Sequence, residues 1–256
     1  MENQRQATLP DQYAPHSYRT TARVVGVVYI AGMVLGVIGN LRILSILGAP
    51  DPLANVAANS IVLAIAAILW LVTVAGDAAH GILMFPVLKP HSERIAVGYL
   101  GARIIDAVVV AIMALLILFQ IPLASEYLKA GADTSSLQAL STVFTQAQLY
   151  AYHFGMIALG LAGLMLCYLL YRAKLIPQLL GVWGLIGYAV ILGGSVFEVL
   201  GFDLRSIHTI PGGLWELFIG VWLIVKGFSS VPIPAERTPS STTPIRTSPA
   251  VDSAPA

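Results

Sequence analysis

Charge is what this sequence has least of. Only 11% of its 256 residues are Asp, Glu, Lys or Arg, against roughly 25% in an ordinary soluble domain. Apolar residues make up 57% and mean hydropathy is +0.81. A water-soluble globule of this length could not cover its surface with so few charges, so the composition calls for a bilayer as solvent. Cysteine is nearly absent: Cys167 stands alone, which excludes an internal disulfide and a cysteine-based zinc or iron–sulfur site. A net charge of +1 supplies no basic footprint for nucleic acid. Several motifs are missing too. There is no His-Glu-x-x-His, no Gly-x-Ser-x-Gly elbow, no Gly-Lys dipeptide for a phosphate loop, and no dinucleotide fingerprint between a strand and a helix. No cofactor is implied.

Long apolar runs are what the chain has in abundance. A helix needs about 20 mainly apolar residues to cross the hydrocarbon core, and six stretches qualify. They are 24–40, a segment within 54–88, 95–121, a segment within 142–171, 179–200 and 210–225. Each is too long for a strand of a membrane barrel and none alternates with period two, so the fold class is all-α, a polytopic transmembrane helical bundle. The second stretch would reach about 52 Å if helical throughout, so it must tilt, project or bend, and Pro86 is a candidate kink. The first apolar run follows a polar segment that carries acids as well as bases, and reads as a retained span rather than a cleaved signal. The domain plan is a polar segment at 1–22, a six-helix transmembrane domain at 23–228, and a Pro/Ser/Thr-rich tail at 229–256 expected to be disordered. Segment 125–138 is the longest loop, with a short interfacial turn expected near Ser125–Ala130.

Lysine and arginine set the orientation. Six spans put both termini on one side, which then holds Arg5, Arg19, Arg23, Lys89, Arg94, Arg172, Lys174, Lys226, Arg237 and Arg246. The other side holds only Arg42, Lys129 and Arg205. This bias predicts cytoplasmic termini in a multi-pass protein of the plasma (cytoplasmic) membrane.

Ionisable groups inside the spans are where function is to be sought, because each costs about 2.5–3.5 kcal/mol at mid-membrane. Five stand out: Asp77 and His80 on span two, Arg103 and Asp106 on span three, and Glu216 on span six. Counting from Lys89, Arg94 and Lys226 at the cytoplasmic edge, His80, Arg103 and Glu216 all lie about 14–15 Å deep. They form one layer, with an Arg103–Glu216 or Arg103–Asp106 ion pair expected. Gly213 and Gly220 flank Glu216 at i−3 and i+4 and would admit a helix or a ligand. An outer layer is expected from Gln146, Tyr150 and His153, one stripe on span four, with Glu198 and Ser195 on span five. Asp77-x-x-His80 has helical metal-ligand spacing, but a catalytic zinc usually takes three protein ligands and His153 lies about 14 Å away in depth. His16, His91 and His208 fall in loops or tails, and Ser195 has no base beside it in the sequence. No metal site is expected. The spaced glycines Gly32 and Gly36, and Gly181, Gly184 and Gly187, read as close helix packing. Trp183, Trp215 and Trp222 read as interface anchors or core.

Four stretches carry a resemblance: RVVGVVYIAGMVLGVIGN at 23–40, KPHSERIAVGYLGARIIDAV at 89–108, YLLYRAKLIPQLLGVWGLIGY at 168–188 and PGGLWELFIGVWLIVKGF at 211–228. In order and spacing they resemble the prokaryotic membrane family known as domain of unknown function 4386. The resemblance implies a compact multi-helix membrane protein and supplies no substrate. It implies a basic residue followed three later by an acid in the third span, which Arg103 and Asp106 fit, and an acid in the last span, which Glu216 fits. Asp77 and His80 are less typical of it.

Three functional readings follow. The leading one is a structural or accessory membrane component with internal ion pairs, whose glycine faces meet a membrane-protein partner or a second copy. The alternative is binding or transport of a small solute or ion through a polar mid-membrane cavity, with Arg103 meeting an anionic group. The third, less favoured, is an intramembrane enzyme using Asp77 and His80.

Overall fold

The computed structural model describes residues 17–229. The N-terminal segment before them and the Pro/Ser/Thr-rich tail after them, with the expectations attached to both, lie outside the described residues. Among the described residues there are eight α-helices: α1 (Ser17–Leu47), α2 (Pro52–Ala58), α3 (Ser60–Leu88), α4 (Glu93–Leu118), α5 (Gln120–Tyr127), α6 (Thr134–Arg172), α7 (Gln178–Val199) and α8 (Ile210–Val225). A 3-10 turn at Ile207–Thr209 leads into α8. No strand occurs among the described residues, and six helices there are long and apolar enough to cross a membrane. They are α1, α3, α4 (running on into α5), α6, α7 and α8.

These six pack in chain order. Each leans on its neighbours in sequence, and α8 returns to α1, closing a ring. Gly26 and Gly220 make the closure, because a Cβ on Gly26 would stand 2.5 Å from the Gly220 carbonyl oxygen. We call the end where α1 begins and α8 ends the near side. Gly227, just past α8, lies beside Arg19 and Ala22, so both ends of the described chain share it.

Three local readings are corrected. The second apolar stretch is not one helix. Asp51 caps α2 by accepting from the Ala54 N–H at 3.1 Å, with Pro52 in the first turn. The chain breaks at Asn59, whose amide donates to Asn55 Oδ1 at 2.9 Å, while Asn55 donates to the Ile46 carbonyl at 2.9 Å. Side-chain amides thus supply hydrogen bonds that compete with helix continuation. The expected loop at 125–138 is mostly helix: its start belongs to α5, and α6 begins at Thr134, capped by Asp133. The hydroxyls of Ser136 and Ser135 and the Ser136 N–H bind the Asp133 carboxylate and hold its pKa below the usual range. Finally, α6 has 39 residues and is about 58 Å long, well beyond the roughly 30 Å hydrocarbon core. Its first turns project from the far side, where α2 packs on α5.

Two apolar cores result. The near core gathers residues such as Tyr99, Leu166, Leu170, Tyr188, Trp215 and Ile219. The far core gathers Ile43, Leu53, Val56, Leu63, Met113 and Ile117. Along α3 and α4 the polar residues fall at the seam: Asp77 and His80 between Val74 and Met84, and Arg103 and Asp106 between Tyr99 and Val110.

Candidate functional site

Arg103 is the hub of the seam. Its guanidinium is 4% exposed and pairs with two carboxylates, Asp77 through Nη2 and Asp106 through Nη1 at 3.4 Å. Its Nε donates to the Asp77 carbonyl at 3.3 Å. All three guanidinium nitrogens are therefore engaged by the protein. Glycine makes room for this: a Cβ on Gly81 of α3 would press on the Arg103 stem at 3.1 Å, and one on Gly155 of α6 would come 3.3 Å from Asp106 Oδ1. That Oδ1 is buried without a hydrogen-bond partner.

Asp77 and His80 share a helix face but not a partner. Asp77 goes to Arg103. His80, fully buried, shares a hydrogen bond through Nδ1 with the Tyr99 hydroxyl, and its ring meets Tyr29 edge-on at 4.4 Å. His80 Nε2 has no partner. Glu216 does not pair with Arg103, so that member of the expected alternatives is replaced. Its Oε1 accepts from the Tyr188 hydroxyl at 2.8 Å, and among the described residues no cation stands within 4.0 Å of it.

All six spanning helices line one cavity of about 270 Å³ inside the ring. Asp77, His80, Arg103 and Glu216 contribute its polar wall, and Tyr29, Trp70 and Tyr152 its aromatic wall. Val37 and Asn40 of α1 line it while remaining exposed, which puts its mouth toward the far side between α1 and the start of α8. The two glycines flanking Glu216 divide. Gly220 is filled by α1, whereas a Cβ on Gly213 would meet nothing within 4 Å. Gly32 and Gly36 also line the cavity, where a Cβ on either would meet Thr73 or Trp70 only at 3.8–4.0 Å, and Thr73 Oγ1 donates to the Gly32 carbonyl at 3.4 Å. They are not the tight helix seam expected of them. Gly181, Gly184 and Gly187 are one, with Tyr171, Cys167 and Gly212 against them. Trp215 belongs to the core, its Nε1 donating to the Leu180 carbonyl at 2.7 Å.

The outer layer is rebuilt by the structure. His153 is buried opposite Glu198 of α7, Nε2 to Oε2 3.9 Å. Gln146 and Tyr150, two turns and one turn farther along α6, are exposed because α7 ends at Val199 and leaves nothing to cover them. Ser195 does have an imidazole beside it, since His208 Nε2 stands 3.1 Å from its Oγ. His208 is buried in the 3-10 turn rather than lying in an open loop, and it fits because Gly194 has no side chain. Glu198 Oε1 accepts from the Leu204 and Ser206 N–H groups, both at 3.1 Å, and pins the turn between α7 and α8. Tyr99, Tyr188 and His208 are contributors that the sequence reading did not single out. A hydroxyl-bearing ring in mid-span, one turn from Arg103 in the case of Tyr99, is the available signal.

The chain matches the family described as Domain of unknown function (DUF4386) over residues 24–227. No curated protein and no solved structure matches it. The protein belongs to this family and is a multi-pass helical bundle whose seam holds the charged cavity.

Proposed function

We propose that this protein binds a small solute or ion in the cavity enclosed by its ring of helices, and that the near side faces the cytoplasm across the plasma membrane. The observation that carries the reading is Glu216: a carboxylate on a cavity wall with a tyrosine for company and, among the described residues, no cation within 4.0 Å. A purely structural charge layer would use that carboxylate as Arg103 uses Asp77 and Asp106. The accessory-subunit reading loses support, because its expected working surface, Gly32 and Gly36, turns inward. The acid–base reading of Asp77 and His80 also weakens, since each is committed to a different partner. The lysine and arginine bias supports the orientation.

Thermal unfolding of the purified protein, wild type beside Glu216→Gln, against a panel of metals, nucleosides, amino acids and lipid head groups tests the proposal. A ligand at a hundred times its dissociation constant adds about 2.7 kcal/mol of stability. A compound that raises the wild-type midpoint and not the variant's supports binding at Glu216. A silent panel, with Glu216→Gln merely melting earlier, returns the carboxylate to a structural role.

A further inference from the structure

Three carboxyl groups (Asp77, Asp106 and Glu216) share the seam with one guanidinium, and that guanidinium has given all three of its nitrogens to Asp77 and Asp106. An anionic ligand would have to break those contacts and leave a buried carboxylate without its cation, which is strongly unfavourable. A cationic ligand breaks nothing. It meets Glu216, which among the described residues has no cation within 4.0 Å, in a region where Coulomb attraction is stronger than in water. The remaining wall suits a cation as well. The rings of Tyr29, Trp70 and Tyr152 line the cavity, and aromatic faces attract ammonium groups. Fully buried His80 is also among the lining residues, with Nδ1 shared with the Tyr99 hydroxyl. Among the described residues no three His, Cys, Asp or Glu side chains converge on a metal site. The volume and the apolar lining, including Met33, Met156 and Ile191, ask for an organic body.

We infer that the cavity takes a small organic cation, a protonated amine with an apolar or aromatic body whose ammonium head lies against Glu216. This rests on the binding reading proposed above and names its ligand class. The test uses full-length protein in nanodiscs of zwitterionic lipid and three probes with one body and different heads: benzylammonium, benzyl alcohol and benzenesulfonate. Each is titrated calorimetrically at pH 7. The expected result is binding of benzylammonium with the other two at least about tenfold weaker, a tenfold step being about 1.4 kcal/mol, and at least tenfold weakening by Glu216→Gln. Should Glu216→Gln fail to fold, Gly213→Leu serves instead: its Cβ enters open space, its side chain reaches into the cavity, and it must also weaken benzylammonium. Equal affinity for the three heads, or preference for benzenesulfonate, overturns the cation assignment and leaves the binding reading standing. Binding unmoved by either variant places the probe elsewhere and overturns it too. Silence from all three probes overturns the assignment, and only silence from the broader thermal panel as well removes the binding reading.

Discussion

Glu198 and Glu216 are both half-buried carboxylates on consecutive helices, yet they sit in opposite circumstances. Glu198, at the far end of α7, is held by the chain. One oxygen takes two backbone N–H groups, and two histidines flank the carboxylate at 3.9 Å. Glu216, at the seam of the two cores, has one tyrosine and an open cavity. The contrast teaches how to separate a carboxylate that holds the fold from one that is available: ask whether the chain has given it a paired cation or backbone N–H donors. By that criterion the far layer is architecture, and the mid-layer is half architecture (Arg103 with Asp77 and Asp106) and half site.

Four experiments can break or sharpen this contrast. The largest effect is expected from Arg103→Met, which leaves Asp77 and Asp106 unpaired and should cost about 3–5 kcal/mol in denaturant unfolding. Adding Asp77→Asn and Asp106→Asn should restore much of it. A single variant as stable as wild type would mean that the guanidinium is not the hub. Next comes Glu198→Ala, expected to lower stability by about 1.5–3 kcal/mol through lost charge-assisted hydrogen bonds, while benzylammonium affinity stays put. A loss of affinity there would erase the line between the two layers. Glycines give a third comparison. Gly194→Ala drives a methyl to within 2.3 Å of the His208 ring and should cost about 1–3 kcal/mol. Gly213→Ala enters empty space and should stay within about 0.5 kcal/mol of wild type. Melting temperatures of the pair settle it. The smallest effect is local. Asp133 is another carboxylate held by the chain, with its folded pKa depressed by Ser136 and Ser135. Its contribution is present above the ordinary aspartate pKa near 4 and is lost as pH falls through the lower folded value. Amide exchange in the first turn of α6 should therefore speed up below pH 4 in the wild type. In Asp133→Asn that acid step should be missing.

The spans were legible because bilayer crossing demands long apolar runs that nothing else in the sequence mimics. The limits of α8 agree with the hydropathy alone. The start of α2 carried a visible mark, Asp51–Pro52, which is an N-cap followed by a first-turn proline, but hydropathy runs straight through the break at Asn59. The depth of Arg103 and Glu216 could be counted from the nearest flanking charges, Arg94 and Lys226. Their partners could not, because which helix face meets which neighbour depends on rotations of the helices that a period of 3.6 does not specify. Asp77 therefore took the place expected of Glu216. Ser195 and His208 meet only because Arg205 and Ser206 both adopt positive φ, and neither is a glycine that would have announced the turn. Gly213 and Gly220 look alike in sequence; the tilt of α1, close to α8 at one end and parted from it at the other, makes one a contact and the other a wall.

The closure of α8 onto α1 has a consequence for biosynthesis. Helices emerge one at a time, and the first of the six must wait for the sixth before its Gly26 face is covered. Until then the ring is an open arc. Glu216 arrives on the last helix, so the cavity and its carboxylate come into being together, when α8 closes onto α1.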